Sequence, residues 1–162
     1  MKTVISTFLV STLALVIYAQ CPTAETIAKD KAKAKEKDGY AVSSQSRSAA
    51  ITSDESYEMS FIAQPGFDYR LTTKAQLPSA GTISYEVYEM VVEKKNEGGK
   101  EVYKRVRKTL ASSDQTGGQA LEFTTNETRK VFVSVKMTGG DKKKPVCIGV
   151  LVETKRSTKL GF

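Results

Sequence analysis

The chain has 162 residues, 40% of them hydrophobic and 27% charged, with a formal charge of +7, two cysteines and neither histidine nor tryptophan. That composition suits one ordinary globular domain built around a single core. The missing histidine removes the commonest general base, the usual triad partner and the commonest zinc ligand together, which takes most support from hydrolase readings.

Lys2 leads into an apolar run from Val4 to Tyr18 that ends at the small Ala19. The run is short for a bilayer span, and Ala19 stands where a signal peptidase needs a small residue, so residues 1–19 are expected to be a cleaved leader. A retained anchor would need a longer run. Acylation at Cys21 is disfavoured because Gln20 and Tyr18 occupy the places where lipoprotein processing wants a small and an aliphatic residue. Export removes the chain from a reducing cytosol, so Cys21 and Cys147 become candidates for a disulfide, the alternative being two unpaired cysteines. No later stretch is long and apolar enough for a membrane helix, and the chain is not expected to be an integral membrane protein.

Pro22 opens an alanine- and lysine-rich segment closed by Gly39. Its composition, the Glu25–Lys29 spacing and the terminal glycine predict a helix within residues 20–39. The apolar stripe of Ala24, Ile27, Ala28 and Ala32 is narrow, which predicts a helix lying loosely on the domain.

From Tyr40 the period changes to two. Tyr57, Met59, Phe61 and Ala63 alternate with polar neighbours, Pro65–Gly66 breaks the chain, and Phe67, Tyr69 and Leu71 alternate again, which predicts a hairpin. Thr82–Glu93 reads as a long central strand with Ile83, Tyr85, Val87 and Val91 on one face and Tyr88, Met90 and Val92 on the other. A loop is expected over Lys94–Lys100, then a cation-rich strand over Glu101–Leu110. A polar loop from Ser112 to Gln119 precedes a short strand through Leu121 and Phe123. Val131, Val133, Val135 and Met137 mark a half-buried strand. Val146–Val152 is apolar without alternation, as expected of a strand covered on both faces, and Gly149 inside it predicts a close neighbour or a bulge. The fold class expected is all-β: an antiparallel, jelly-roll-like β-sandwich of about 7 to 8 strands over residues 40–155. A basic tail follows over 156–162.

Taken in order, the leader ending in AQC, QSRSA at Gln45–Ala49, SYEMSFIA, GFDYRL, YEVYE, ETRKVFVSV and CIGVLVETK with its terminal GF resemble a family of short, uncharacterised exported proteins of Gram-negative bacteria. More loosely, FDYRL, ISYEVYE and RKVFVSVKM are similar in order to the bacterial pre-peptidase C-terminal type of β-sandwich. These resemblances imply an exported, usually non-catalytic sandwich and bring no active site with them.

Chemistry is sparse elsewhere. Asp54, Glu55, Glu86, Glu89 and Glu93 lie on strand faces or in loops with no identifiable cleft to bring two together. Asp114 and Asp141 each bring one acid to a glycine-bearing loop, too few for a calcium site, so turn formation explains them better. Asn126-Glu127-Thr128 has the form of a glycosylation acceptor and is read as a turn. Arg47 and Arg70 are the cations expected to hold a fixed partner, Asp68 or a strand-end carbonyl, and are also the candidate contacts for an anionic group. The remaining cations fall in separate groups, which argues against nucleic acid. No catalytic residue, metal or cofactor is assigned. The expectation is a periplasmic or extracellular binding module for a protein, glycan or envelope component, with a carrier of a small apolar ligand or lipid between the sheets as the alternative. The sequence leaves the oligomeric state open.

Overall fold

The computed structural model describes residues 21–33, 38–76, 81–117 and 120–158. The expected leader and residues 159–162 of the tail lie outside them. In chain order the elements are α1 (Thr23–Lys33), β1 (Ala41–Val42), β2 (Arg47–Ile51), β3 (Ser56–Ala63), β4 (Phe67–Ala75) and β5 (Thr82–Glu97). They continue with β6 (Lys100–Ser112), the short α2 (Ser113–Thr116), β7 (Leu121–Thr124), β8 (Arg129–Thr138) and β9 (Val146–Arg156).

Two antiparallel sheets pack face to face. One has the order β1-β9-β4-β7, with β2 also on β9; the other has the order β3-β8-β5-β6. Alternation explains the layers, because every second residue of each strand turns inward. Val131, Val133 and Val135 on β8 are fully buried, and Ile148, Val150 and Val152 of β9 meet them from the opposite sheet. Phe61, Tyr69 and Phe123 close one part of this core, with ring centroids 5.3 to 6.3 Å apart.

The segment 57–71 is not a hairpin. β3 pairs with β8 in one sheet and β4 with β9 and β7 in the other, so the turn at Pro65–Gly66 arches between layers. The Tyr69 hydroxyl accepts a bond from the Gln64 amide at 2.7 Å and pins the arch. A proline-glycine break is compatible with either connection. The sheet partner was decided by which apolar faces meet.

The expected loop at Lys94–Lys100 contracts to a two-residue turn. β5 and β6 stay paired down to Glu97 and Lys100, and Gly98 and Gly99 both have positive φ, 63° and 82°, as a tight primed turn requires. β5 meets β8 only over Thr82–Tyr88, so beyond that point β5 and β6 run on as a two-stranded ribbon. The described residues thus hold nine strands, the additional ones coming from the divided edge β1 and β2. β9 reaches Arg156, and the Ser157 amide bonds the Gly66 carbonyl at 2.9 Å, so the start of the basic tail belongs to the sheet and its corner.

The helix is held more tightly than its narrow stripe suggests. Ala24 and Ile27 are buried, and a Cβ added at Gly149 of β9 would stand 2.6 Å from the Ala24 nitrogen. Glycine lets the helix backbone touch the strand. A disulfide joins Cys21 to Cys147, Cα atoms 5.3 Å apart, at the same junction. No helix among the described residues is long and apolar enough to cross a membrane.

Candidate binding face

The two sheets treat their outward faces differently. On β9, Leu151 and Gly149 alternate with the core residues and lie under α1, so this strand is covered on both sides. The groove left beside the helix has a volume of about 570 Å³ and an apolar floor of Ala24, Ala28, Val42 and Leu151, with Lys29 and Arg47 at its rim.

Arg47, one of the two predicted anion contacts, donates through Nη1 to the carbonyls of Ser44 and Ser46 at 2.7 and 2.8 Å. Those bonds shape the β1–β2 link. Arg70, the other, sits on the outward side of β4 between two carboxylates, Asp38 and Glu122, with Glu122 at 2.8 Å, and its guanidinium stacks 4.0 Å above the Tyr40 ring. Its partners are therefore Asp38 and Glu122 rather than Asp68. Burial would raise the Asp38 carboxyl, but the hydrogen bond and charge of Arg70 outweigh it and hold the group below its ordinary range. The two arginines lie on β2 and β4, on opposite sides of β9, and form no common site.

Other acids also serve the scaffold. Asp141 accepts the Lys143 amide at 2.9 Å and so makes the turn before β9. Glu89 is clasped by Arg129 at 3.1 Å and Lys108 at 3.4 Å. Among the described residues no three side chains of metal-binding type gather.

Among the described residues no helix lies over the outward face of the other sheet. Strand register places Glu58, Ser134, Glu86 and Ser112 side by side in one row, and Ser60, Phe132, Tyr88 and Thr109 in the next. Phe132 and Tyr88 stack at 5.1 Å, Arg107 lies 3.8 Å over the Tyr88 ring, and Lys130 lies 5.0 Å from the Phe132 ring. The Tyr88 hydroxyl donates to the Glu58 carboxylate and accepts from Arg107 at 3.1 Å. Burial of the phenol, then its bond to Glu58 and that residue's charge, push its pKa up to about 12. Arg107 also reaches Glu58 at 3.3 Å and Glu86 at 3.2 Å. The result is a rigid aromatic and guanidinium platform.

From the platform the same face runs out along the ribbon through Met90, Val92 and Tyr103, which are 45%, 62% and 64% exposed. A neighbouring trough of about 420 Å³ is lined by Ser56, Ser84, Ser134, Lys136 and Glu86. The alternation in the sequence put Tyr88, Met90 and Val92 on one face of β5 without saying which face turns outward. Phe132 and Arg107 carried no such signal, because only strand pairing brings them to Tyr88. Compared with protein families and with curated proteins, the chain finds no match in either.

Proposed function

We propose that this chain works as an exported, non-catalytic β-sandwich that binds a protein or glycan component in the periplasm or outside the cell, as the exported Gram-negative family it resembles would imply. One observation carries the reading: among the described residues no element packs over the face of the four-stranded sheet that bears Tyr88, Phe132 and Arg107, and that face continues into a ribbon of exposed Met90, Val92 and Tyr103. Aromatic, methionine and arginine side chains are the types enriched at binding surfaces, and here they are held in place by stacking and ion pairs. The non-catalytic part rests on chemistry already noted: the chain has no imidazole, and its two cysteines are bonded to each other. The disulfide is compatible with an oxidising compartment.

A photo-crosslinking residue at Val92, compared with one at Glu25 on the covered side, tests the reading in the native host. A partner captured through Val92, identified by mass spectrometry and bound again after purification, is the expected result. Equal or absent capture at both positions would refute it.

The carrier reading has its own observation in the groove of about 570 Å³ beside α1, whose size suits a small ligand and whose floor is apolar. Native mass spectrometry of protein from its host decides this second reading: retained apolar cargo supports it, and a bare chain mass removes it.

A further inference from the structure

The ribbon leaves a long strand edge open. Among the described residues β6 is hydrogen-bonded to β5 alone, and its 13 residues make it the longest edge strand. Its turn closes on the Glu97–Lys100 pair. In a two-residue hairpin the closing pair exchanges both backbone bonds and the pattern alternates from there. By that alternation Glu101, Tyr103, Arg105 and Arg107 send their N–H and C=O groups away from β5, toward the open side.

The opposite edge of the same sheet is handled otherwise. At Ile62 of β3 the Gln45 side chain accepts from the amide at 2.9 Å and donates to the carbonyl at 3.3 Å, capping that position. Natural sheets guard their edges with such caps and with charged side chains; β6 has the charges, which repel a like-charged strand and leave its outward N–H and C=O groups to a strand of opposite charge.

Charge and shape say what kind of strand fits. Over residues 100–108 there are five cations, Lys100, Lys104, Arg105, Arg107 and Lys108, against the single Glu101. Lys104, Arg107 and Lys108 are met by acids of the domain itself, while Lys100 and Arg105 have no ion pair among the described residues. At the end of β6 a cavity of about 150 Å³ opens toward β7, lined by Val87, Leu110, Ala111, Leu121 and Phe123. A cavity of about this size accepts a benzene-sized apolar group. On its wall the Arg129 Nε is buried without a hydrogen-bond partner.

We infer that β6 is the docking edge for an extended segment of a partner protein in which acidic and apolar side chains alternate. The inference rests on the binding-module reading above and names its partner. Main-chain bonds to β6 supply the attachment, acidic side chains on the outward face meet Arg105, and one apolar side chain on the other face enters the cavity beside Leu110. A second copy of β6 is the poorer occupant, because antiparallel self-pairing sets five cations against five.

Fluorescence anisotropy of a labelled peptide of about ten residues alternating glutamate and valine, titrated with the full chain, tests this. Saturable binding is expected, weakened about tenfold or more by Arg105→Glu and equally by Tyr103→Pro, which removes an outward N–H without changing charge or the bonds to β5. Circular dichroism confirms that both variants are folded. Binding that responds to Arg105→Glu and ignores Tyr103→Pro is charge attraction alone and overturns the proposal, as does the absence of saturable binding. A dimer that Tyr103→Pro dissolves assigns the edge to a second copy and also overturns it. Capture of a partner through Val92 with no peptide binding at β6 defeats this inference while the binding-module reading stands.

Discussion

The outward faces of the two sheets show opposite solutions to the same problem. On the five-stranded sheet, β9 is apolar on both sides, and a helix tethered by Cys21–Cys147 covers the outer one. On the four-stranded sheet the outer side of β8 carries Ser134, Phe132 and Lys130, and no helix among the described residues packs over it. The first face is stabilised by burial and a crosslink; the second is kept in place by stacking, ion pairs and hydrogen bonds that Phe132, Arg107 and Glu58 make around a buried Tyr88. Covered surface contributes to stability, and uncovered but ordered surface is what a partner can use.

Four measurements sharpen or break that contrast. The largest effect belongs to the tether. Replacing both Cys21 and Cys147 by serine frees a connection 126 residues long and is expected to cost about 2 to 5 kcal/mol in urea unfolding. A loss below about 1 kcal/mol would show that the helix covers β9 without needing its crosslink.

Next comes Gly149→Val. The new Cβ meets the Ala24 nitrogen at 2.6 Å and the Thr23 carbonyl carbon at 2.8 Å, both backbone atoms that cannot rotate away. The helix must lift, and a loss of about 3 kcal/mol is expected, with faster amide exchange in α1 than in the four-stranded sheet. Uniform exchange across both sheets would contradict a local role for the glycine.

The third measurement addresses the uncovered face through pH. Tyr88 keeps its proton up to about 12 in the folded chain against an ordinary 10.0, so the folded state binds the proton more tightly than the unfolded one. The resulting stabilisation is complete below about pH 10 and drains away as the pH rises toward 12, amounting to about 2 to 3 kcal/mol. Tyr88→Phe removes this component, so the difference between the parent and the variant should narrow with pH over that window. An unchanged difference would mean that the phenol is neither buried nor bonded to Glu58 as described.

The smallest effect is expected at the ribbon. Met90→Ser with Val92→Ser should change unfolding free energy by no more than about 0.5 kcal/mol, because both side chains are largely exposed already. A larger loss would place these residues in a buried contact and undo the comparison.

Much of the scaffold was legible before any coordinates. Val131, Val133, Val135 and Met137 announced β8 by strict alternation, and the unbroken apolar run from Val146 announced that β9 is covered twice. Gly149 pointed to a close neighbour, which the backbone of Ala24 turned out to be. The reading failed where local signals are shared by different structures. Pro65–Gly66 breaks a strand equally well before a hairpin or an arch, and the charged residues from Lys94 to Glu97 resemble a loop because the ribbon they belong to is wetted on both faces. The binding face was partly visible: Tyr88, Met90 and Val92 were grouped on one face of β5, though both faces of that strand are apolar and neither was marked as outward. Arg107 and Phe132 were hidden, since neither differs locally from an ordinary strand residue.

By itself, the sequence determined the class of fold, the positions of most strands, the inward side of the strictly alternating ones such as β8, and the cysteine pair available for a bond. These are properties of neighbouring residues, set by the two-residue period of a strand and by composition. Only the tertiary structure decided which sheet each strand joins, that Arg70 lies between Asp38 and Glu122, and that Tyr88, Phe132 and Arg107 form one platform. Those outcomes depend on groups far apart in the chain, whose meeting is governed by how whole apolar faces and strand edges fit together, and no local pattern encodes that fit.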